Sequence, residues 1–262
     1  MTELLDLPER TTKPRSTGLT HVLDRGLSVS GVDALAEVVG DYVDIVKLGW
    51  GTAVVTGNLE RKVARYLEHG IPVVLGGTLT ELAVSQDRLD GLLEFSTRLG
   101  LEHIEVSDGT ITLPHEEKLE LIERLARDFT VLSEVGSKDD TKIMAPYRWV
   151  ELIQSELEAG AWKVITEARE SGTSGIYRHD GEVRMGLIDE IVHAVPPESL
   201  LFEAPLKDQQ VWFIRRLGAN VNLGNVAPDD VLSLETMRLG LRSDTALGQV
   251  GAEVQEEGVR GE

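Results

Sequence analysis

Four glutamates, Glu105, Glu134, Glu167 and Glu203, each stand late in a short apolar or β-branched run: HIEV, TVLSEV, WKVITE and LLFE. Carboxylates gathered from separate runs can hold a hard cation through oxygen, or can move protons. Side chains alternate along a strand, so their facing can be read from position alone. In 162–169, Val164, Thr166 and Ala168 form one set; Lys163, Ile165, Glu167 and Arg169 form the other. The same rule puts Glu105 with Ser107 and turns Lys47, Glu134, Glu203 and Asn222 to that second, inner side. Ionised, the four glutamates outnumber the inward cations Lys47 and Arg169. A hard divalent cation corrects such a deficit, and Mg2+ suits carboxylate and water oxygens while leaving room for substrate. The alternative is that two glutamates pair with Lys47 and Arg169, the others being protonated or turned to solvent.

Loops follow several of these runs. GSKDD at 136–140, ESGTSG at 170–175 and Gly224-Asn225 offer small residues whose backbone N–H groups can approach an anion. Lys138 is either a solvated loop lysine or, above a carboxylate cluster, a proton-transfer group. Asp24-Arg25-Gly26 contributes a carboxylate or only a turn, and Trp50 walls a pocket or only packs. The six histidines show neither HxH nor HExxH spacing, and no cysteine is present, which argues against zinc, disulfides and thiolate chemistry.

The elements that must position these groups are legible. Strand-like runs occur at 18–24, 42–49, 72–77, 103–109, 130–136, 162–169, 200–205 and 219–225, eight in all. Helical spacing separates them, as in Val32, Leu35, Ala36 and Val39, or Leu59, Val63, Tyr66 and Leu67. Gly40, Gly70, Gly100, Gly160 and Gly218 close helices. Eight alternations within 262 residues predict a single α/β domain, a (β/α)8 TIM barrel over 15–247, with its chemistry at the strand C-termini. The competing open sheet lacks the GxGxxG expected after its first strand. Residues 1–14 and the acidic, glycine-containing 248–262 read as mobile tails.

A formal charge of −19 repels nucleic acid and anionic lipid, so neither is an expected partner. An anionic substrate then needs a local concentration of cations. No long apolar run or charged leader appears, which makes the cytoplasm the expected location, and a homo-oligomer is the ordinary expectation for such barrels.

Several blocks are more specific than a generic barrel. KPR leading into GLTHVLDRG, DIVKLGWGT, GGTLTE, IEVSDG, EVGSKD, EARESGTSGI, FEAPLKDQQVWFIRRLGANVNLGNV and LETMRLGLRSDT resemble the successive signature blocks of the phosphosulfolactate synthase family across about residues 13 to 246. The resemblance implies a Mg2+-dependent lyase that adds sulfite to phosphoenolpyruvate, opening one route to coenzyme M. By its position in the EVGSKD block, Lys138 is the expected general acid. The chemistry of that reaction assigns Arg15, Lys47 and Arg169 to anionic oxygens, Ser171, Gly172, Gly224 and Asn225 to phosphate, Asn222 to the substrate-binding groups, and Glu105, Glu134, Glu167 and Glu203 to the metal or its waters. The same barrel group includes plant heat-stress-associated homologues, so a non-catalytic pocket protein is one rival. A barrel lyase using another nucleophile on a phosphorylated enol or keto acid is the other.

Overall fold

The computed structural model describes residues 4–111, 113–136, 144–168 and 173–246. Eight strands appear where eight are expected: β1 (Thr20–Asp24), β2 (Ile45–Leu48), β3 (Val73–Leu75), β4 (His103–Val106), β5 (Thr130–Val135), β6 (Lys163–Thr166), β7 (Leu200–Glu203) and β8 (Leu223–Val226). Their order is β3-β2-β1-β8-β7-β6-β5-β4 and the paired strands are parallel, a barrel closed except for a ladder between β3 and β4. That seam is bridged by side-chain bonds. Glu105 of β4 accepts from the Gly77 N–H at 2.6 Å through Oε1, and Thr80 donates to the Glu105 carbonyl at 2.7 Å.

The helices fall between the strands: α1 (Val29–Val39), α2 (Thr52–Val55), α3 (Leu59–Glu68), α4 (Gly77–Ser85), α5 (Leu89–Arg98), α6 (His115–Leu125), α7 (Pro146–Glu158), α8 (Met185–Ala194), α9 (Lys207–Leu217) and α10 (Val231–Arg238). Alternation along the strands splits the core into two layers. Ile45, Val74, Leu132, Ile165 and Leu201 pack together inside the barrel, while Val46, Val73, Ile104, Val131 and Val164 pack outward against the helices.

Two expectations are corrected. Residues 10–14 are not a free tail: Arg10 pairs with Glu235 at 2.9 Å and donates to the Ala219 carbonyl at 3.1 Å, while the Lys13 ammonium donates to the Val43 carbonyl at 2.6 Å. The acidic segment 248–262 lies outside the described residues. The last strand also begins later than 219, because residues 219–220 form a turn and β8 carries a bulge: Thr20 and Val22 of β1 pair with Leu223 and Val226. Asn225 takes φ 55°, a left-handed conformation tolerated by Asn, and it absorbs the extra residue.

The N-terminal ends of β1 and β8 are held by one buried cation. Arg238, 1% exposed, donates to the carbonyls of Ala219 at 2.6 Å, Val221 at 2.7 Å and Leu19 at 3.1 Å. Arg238→Met roughly keeps the volume and removes three hydrogen bonds, two of them to carbonyls that keep another donor, Arg10 at Ala219 and the Leu223 N–H at Leu19. The expected loss is about 2–4 kcal/mol by urea unfolding; a change below about 1 kcal/mol would show that these bonds do not hold the strand ends.

Candidate active site at the strand C-termini

β2, β4, β5 and β7 bring one ammonium and three carboxylates to a common point. Lys47 Nζ lies 2.8 Å from Glu134 Oε1, 3.0 Å from Glu105 Oε1 and 3.6 Å from Glu203 Oε1. All four residues are buried, with Glu105 fully so. Burial pulls the Lys47 pKa down, but Glu105, Glu134 and Glu203 outweigh it and hold the amine well above its ordinary value. Lys47 is therefore a fixed positive charge.

One ammonium does not neutralise three carboxylates. Burial, and then the Glu134 charge, push the Glu105 carboxyl up to about 8, against the opposing pull of Lys47 and the Gly77 N–H. Glu105 Oε2 is buried with no hydrogen-bond partner among the described residues. A proton or a bound cation satisfies such an oxygen.

The backbones that carry Glu134 and Glu203 are held from behind. Lys118 of α6 donates to the Glu134 carbonyl at 2.5 Å and pairs with Glu156 of α7 at 2.8 Å. Glu203 Oε2 accepts from the Ala168 N–H at 2.8 Å, and the Tyr177 hydroxyl donates to the Glu203 carbonyl at 2.5 Å. Gly136 and Gly175 crowd Glu167: a Cβ on Gly175, at φ +67°, would stand 1.9 Å from the Glu167 carbonyl oxygen. Only glycine allows that approach.

Below Lys47, His21 is buried completely, and neither ring nitrogen has a hydrogen-bond partner among the described residues. Burial, reinforced by the Lys47 charge, lowers its pKa to about 3, so the ring is neutral. His21, Lys118 and Glu156 went unnoticed in the sequence, where each looks like an ordinary strand or helix residue. Buried, mutually paired charges at 118 and 156 become recognisable only once α6 and α7 are adjacent.

The expected site residues divide into four groups. Lys47, Glu105, Glu134 and Glu203 converge, and Glu167 follows β6 beside the Ala168 N–H that Glu203 accepts. Gly224 and Asn225 lie in β8; Gly224 leaves room for Leu201 and His21, since a Cβ there would sit 2.3 Å from Leu201 Cδ2. Arg15 and Asn222 are at the other end of the barrel. Arg15 lies beside Asp44, just before β2, at 3.5 Å. Asn222 accepts from the Leu19 N–H at 3.0 Å and donates to the Leu200 carbonyl at 2.8 Å, so it ties strand starts together. Lys138, Arg169, Ser171 and Gly172 lie outside the described residues.

The four glutamates expected on the metal or its waters do not form one cage among the described residues. Among the described residues no group of three Asp, Glu or His takes positions that could hold a metal ion, because Lys47 stands between three of the four glutamates. The donors still suit Mg2+ in kind: they are carboxylate oxygens, and Mg2+ needs only one or two carboxylates beside substrate and water. Asp24 is a structural anchor. It accepts from the Gly26 and Leu27 N–H groups at 2.8 Å and binds Lys62 at 2.6 Å and Tyr66 at 2.9 Å.

Two buried groups give stability opposite pH slopes. Glu105, raised from 4.5 to about 8, favours folding below pH 4.5 and loses that contribution as pH climbs through 8. His21, lowered from 6.5 to about 3, costs stability as pH falls from 6.5 towards 3. They oppose each other between 4.5 and 6.5, and only Glu105 acts between 6.5 and 8. The unfolding free energy of the wild type should therefore decline from pH 6.5 to 8 relative to Glu105→Gln. Parallel curves for the two proteins in urea titrations would exclude a protonated Glu105.

Comparison with known proteins is consistent across the whole barrel. Residues 8–244 match the family described as (2R)-phospho-3-sulfolactate synthase, ComA. The phosphosulfolactate synthase of Bacillus subtilis is 46% identical over 92% of this chain and 97% of its own length. That of Methanothermobacter thermautotrophicus is 41% identical over 93% and 96%. Protein HEAT-STRESS-ASSOCIATED 32 of Arabidopsis thaliana is 24% identical over 88% of each chain. Among solved structures, a 3-hexulose-6-phosphate synthase superposes with a TM-score of 0.55 at 16% identity, covering 84% of this chain and 99% of that one, a likeness of fold. With its barrel intact and its relatives matched nearly end to end, the chain belongs to the (2R)-phospho-3-sulfolactate synthase family of enzymes.

Proposed function

We propose that this protein is a cytoplasmic lyase that adds sulfite to phosphoenolpyruvate, giving (2R)-phospho-3-sulfolactate. The observation that carries the proposal is the Lys47–Glu105–Glu134–Glu203 cluster at the strand ends of a chain 46% identical to a phosphosulfolactate synthase. The stronger likeness to synthases than to the heat-stress protein, at 24%, favours retained chemistry over a pocket without it.

Both reagents are anions in a chain of charge −19, so their encounter depends on local cations. The sulfite sulfur attacks the methylene carbon, a carbon–sulfur bond forms, and the double-bond electrons move towards the substrate carboxylate. The neighbouring carbon then takes a proton. Lys47, held charged by its carboxylates, stabilises the developing enolate-like charge from a fixed position. Lys138 delivers the proton. Arg169 binds anionic oxygens, and Ser171, Gly172, Gly224 and Asn225 receive the phosphate. Glu167 and Glu203, with support from Glu134, would hold a Mg2+ ion, which would supply Lewis-acid stabilisation of the same charge. Glu105 keeps its proton or yields it as the local charge changes.

Purified protein with Mg2+, phosphoenolpyruvate and sulfite should show sulfite-dependent loss of enol absorbance, abolished by EDTA. Loss without sulfite would point instead to another lyase on a phosphorylated enol, and no loss under any condition would remove the enzymatic reading. Lys138→Ala should lower kcat by about 10^2–10^4-fold with a much smaller change in KM. Wild-type kcat in that variant would end the acid assignment.

A further inference from the structure

At the barrel end opposite Lys47 lies a pocket of about 240 Å3. Leu19, Ile45, Pro72 and Trp162 supply its apolar surface, and Lys13, Arg15, Asp44 and His103 supply its polar groups. These residues precede or begin β1, β2, β3, β4 and β6, whereas Lys47, Glu134 and Glu203 stand later in β2, β5 and β7. The inner layer of Ile45, Val74, Leu132, Ile165 and Leu201 belongs to the barrel between them.

The polar groups of this pocket are unequally satisfied. The Lys13 ammonium is used by the Gly40 and Val43 carbonyls at 3.0 and 2.6 Å. Asp44 Oδ2 accepts from the Thr20 N–H at 2.8 Å. The Arg15 side chain is only 5% exposed, and its Nη2 donates to the Asp41 carbonyl at 2.8 Å. Its Nε lies 3.5 Å from Asp44 Oδ1, and neither Nε nor Nη1 has a hydrogen-bond acceptor among the described residues. His103 Nδ1 is likewise buried and unpartnered, its ring edge-on to Trp162 with centroids 5.9 Å apart. Stranded donors of a buried guanidinium are costly, and an acceptor oxygen entering the pocket removes that cost.

We propose that this pocket is a second ligand site, for a small organic monocarboxylate whose oxygens accept from Arg15 Nη1 and whose apolar body lies on Trp162 and Pro72. Charge selects the class: Lys13 and Arg15 against Asp44 leave one net positive charge, which a monoanion neutralises and a phosphate dianion oversupplies. The apolar wall selects a hydrocarbon or aromatic body over a bare inorganic ion. A ligand here is no substrate of the Lys47 centre, since barrel chemistry sits at the other mouth. It binds the folded chain and stabilises it.

Sodium benzoate is a suitable probe, titrated into the full chain at constant ionic strength against sodium chloride and inorganic phosphate, with tryptophan emission and melting temperature followed together. The expected result is a saturable emission change and a rise in melting temperature with benzoate, and neither with phosphate. Arg15→Met should weaken binding roughly tenfold or more, and His103→Phe provides an independent weakening if the arginine variant is unstable. Trp162→Phe should lose the emission change yet keep the thermal shift. A benzoate response no larger than that of chloride, one matched by phosphate, or one undiminished in both Arg15→Met and His103→Phe would overturn the proposal. None of these readings depends on turnover, so the sulfite reaction and this site can fail separately.

Discussion

A buried ammonium surrounded by more negative charge than it can neutralise is the constraint from which the rest of this barrel follows. Lys47 meets Glu105, Glu134 and Glu203 at 3.0, 2.8 and 3.6 Å, which staples β2 to β4, β5 and β7 across the barrel interior. Ions in such a setting are tolerated only when their remaining oxygens and protons are also satisfied. Glu105 meets that condition partly through the N–H at the start of α4, and so the same carboxylate that helps hold Lys47 also closes the β3–β4 seam. The electrostatic centre and the closure of the fold are one arrangement.

The two ends of the barrel are built for different tasks. At the strand starts, Arg238 and Asn222 bond to backbone carbonyls and N–H groups, and Arg10 ties residues ahead of β1 to α10; these charges serve the chain itself. At the strand ends, Lys118 and Tyr177 hold the backbone carbonyls of Glu134 and Glu203, and the Ala168 N–H donates to the Glu203 carboxylate, which fixes the strand ends that carry these side chains. Two buried guanidiniums at the starting end have incomplete bonding among the described residues, Arg238 at Nε and Arg15 at both Nε and Nη1.

Most of the fold was legible because period-two runs and helical spacing report directly on which faces are buried. Parity correctly placed Ile165 inward and Val164 outward, and it brought Lys47, Glu105, Glu134 and Glu203 to one side. It failed in β8. The bulge at Gly224 and Asn225 breaks the alternation, and a turn replaces the first part of the expected run, so Asn222 became a strand tie. Of the closing glycines, Gly70, Gly100, Gly160 and Gly218 take positive φ, but Gly40 does not, at −54°, because a 3-10 turn continues α1. The chemistry of Arg15 suits an anionic substrate, but nothing in local spacing says which mouth a segment ahead of β1 will cross. Nor does spacing reveal that a lysine will fill the centre expected for a metal. That depends on the reach of one side chain into three others.

The protonation of Glu105 is the most exposed consequence of this charge surplus, and carboxyl carbon NMR of the wild-type protein with labelled glutamate reads it directly. With the Glu105 resonance assigned by its absence in Glu105→Gln, the account predicts a midpoint near 8, far above the ordinary 4.5. A Glu105 signal that titrates in the ordinary carboxylate range would mean that Lys47 meets its surroundings without a held proton, and the proposed electrostatic centre would have to be redrawn.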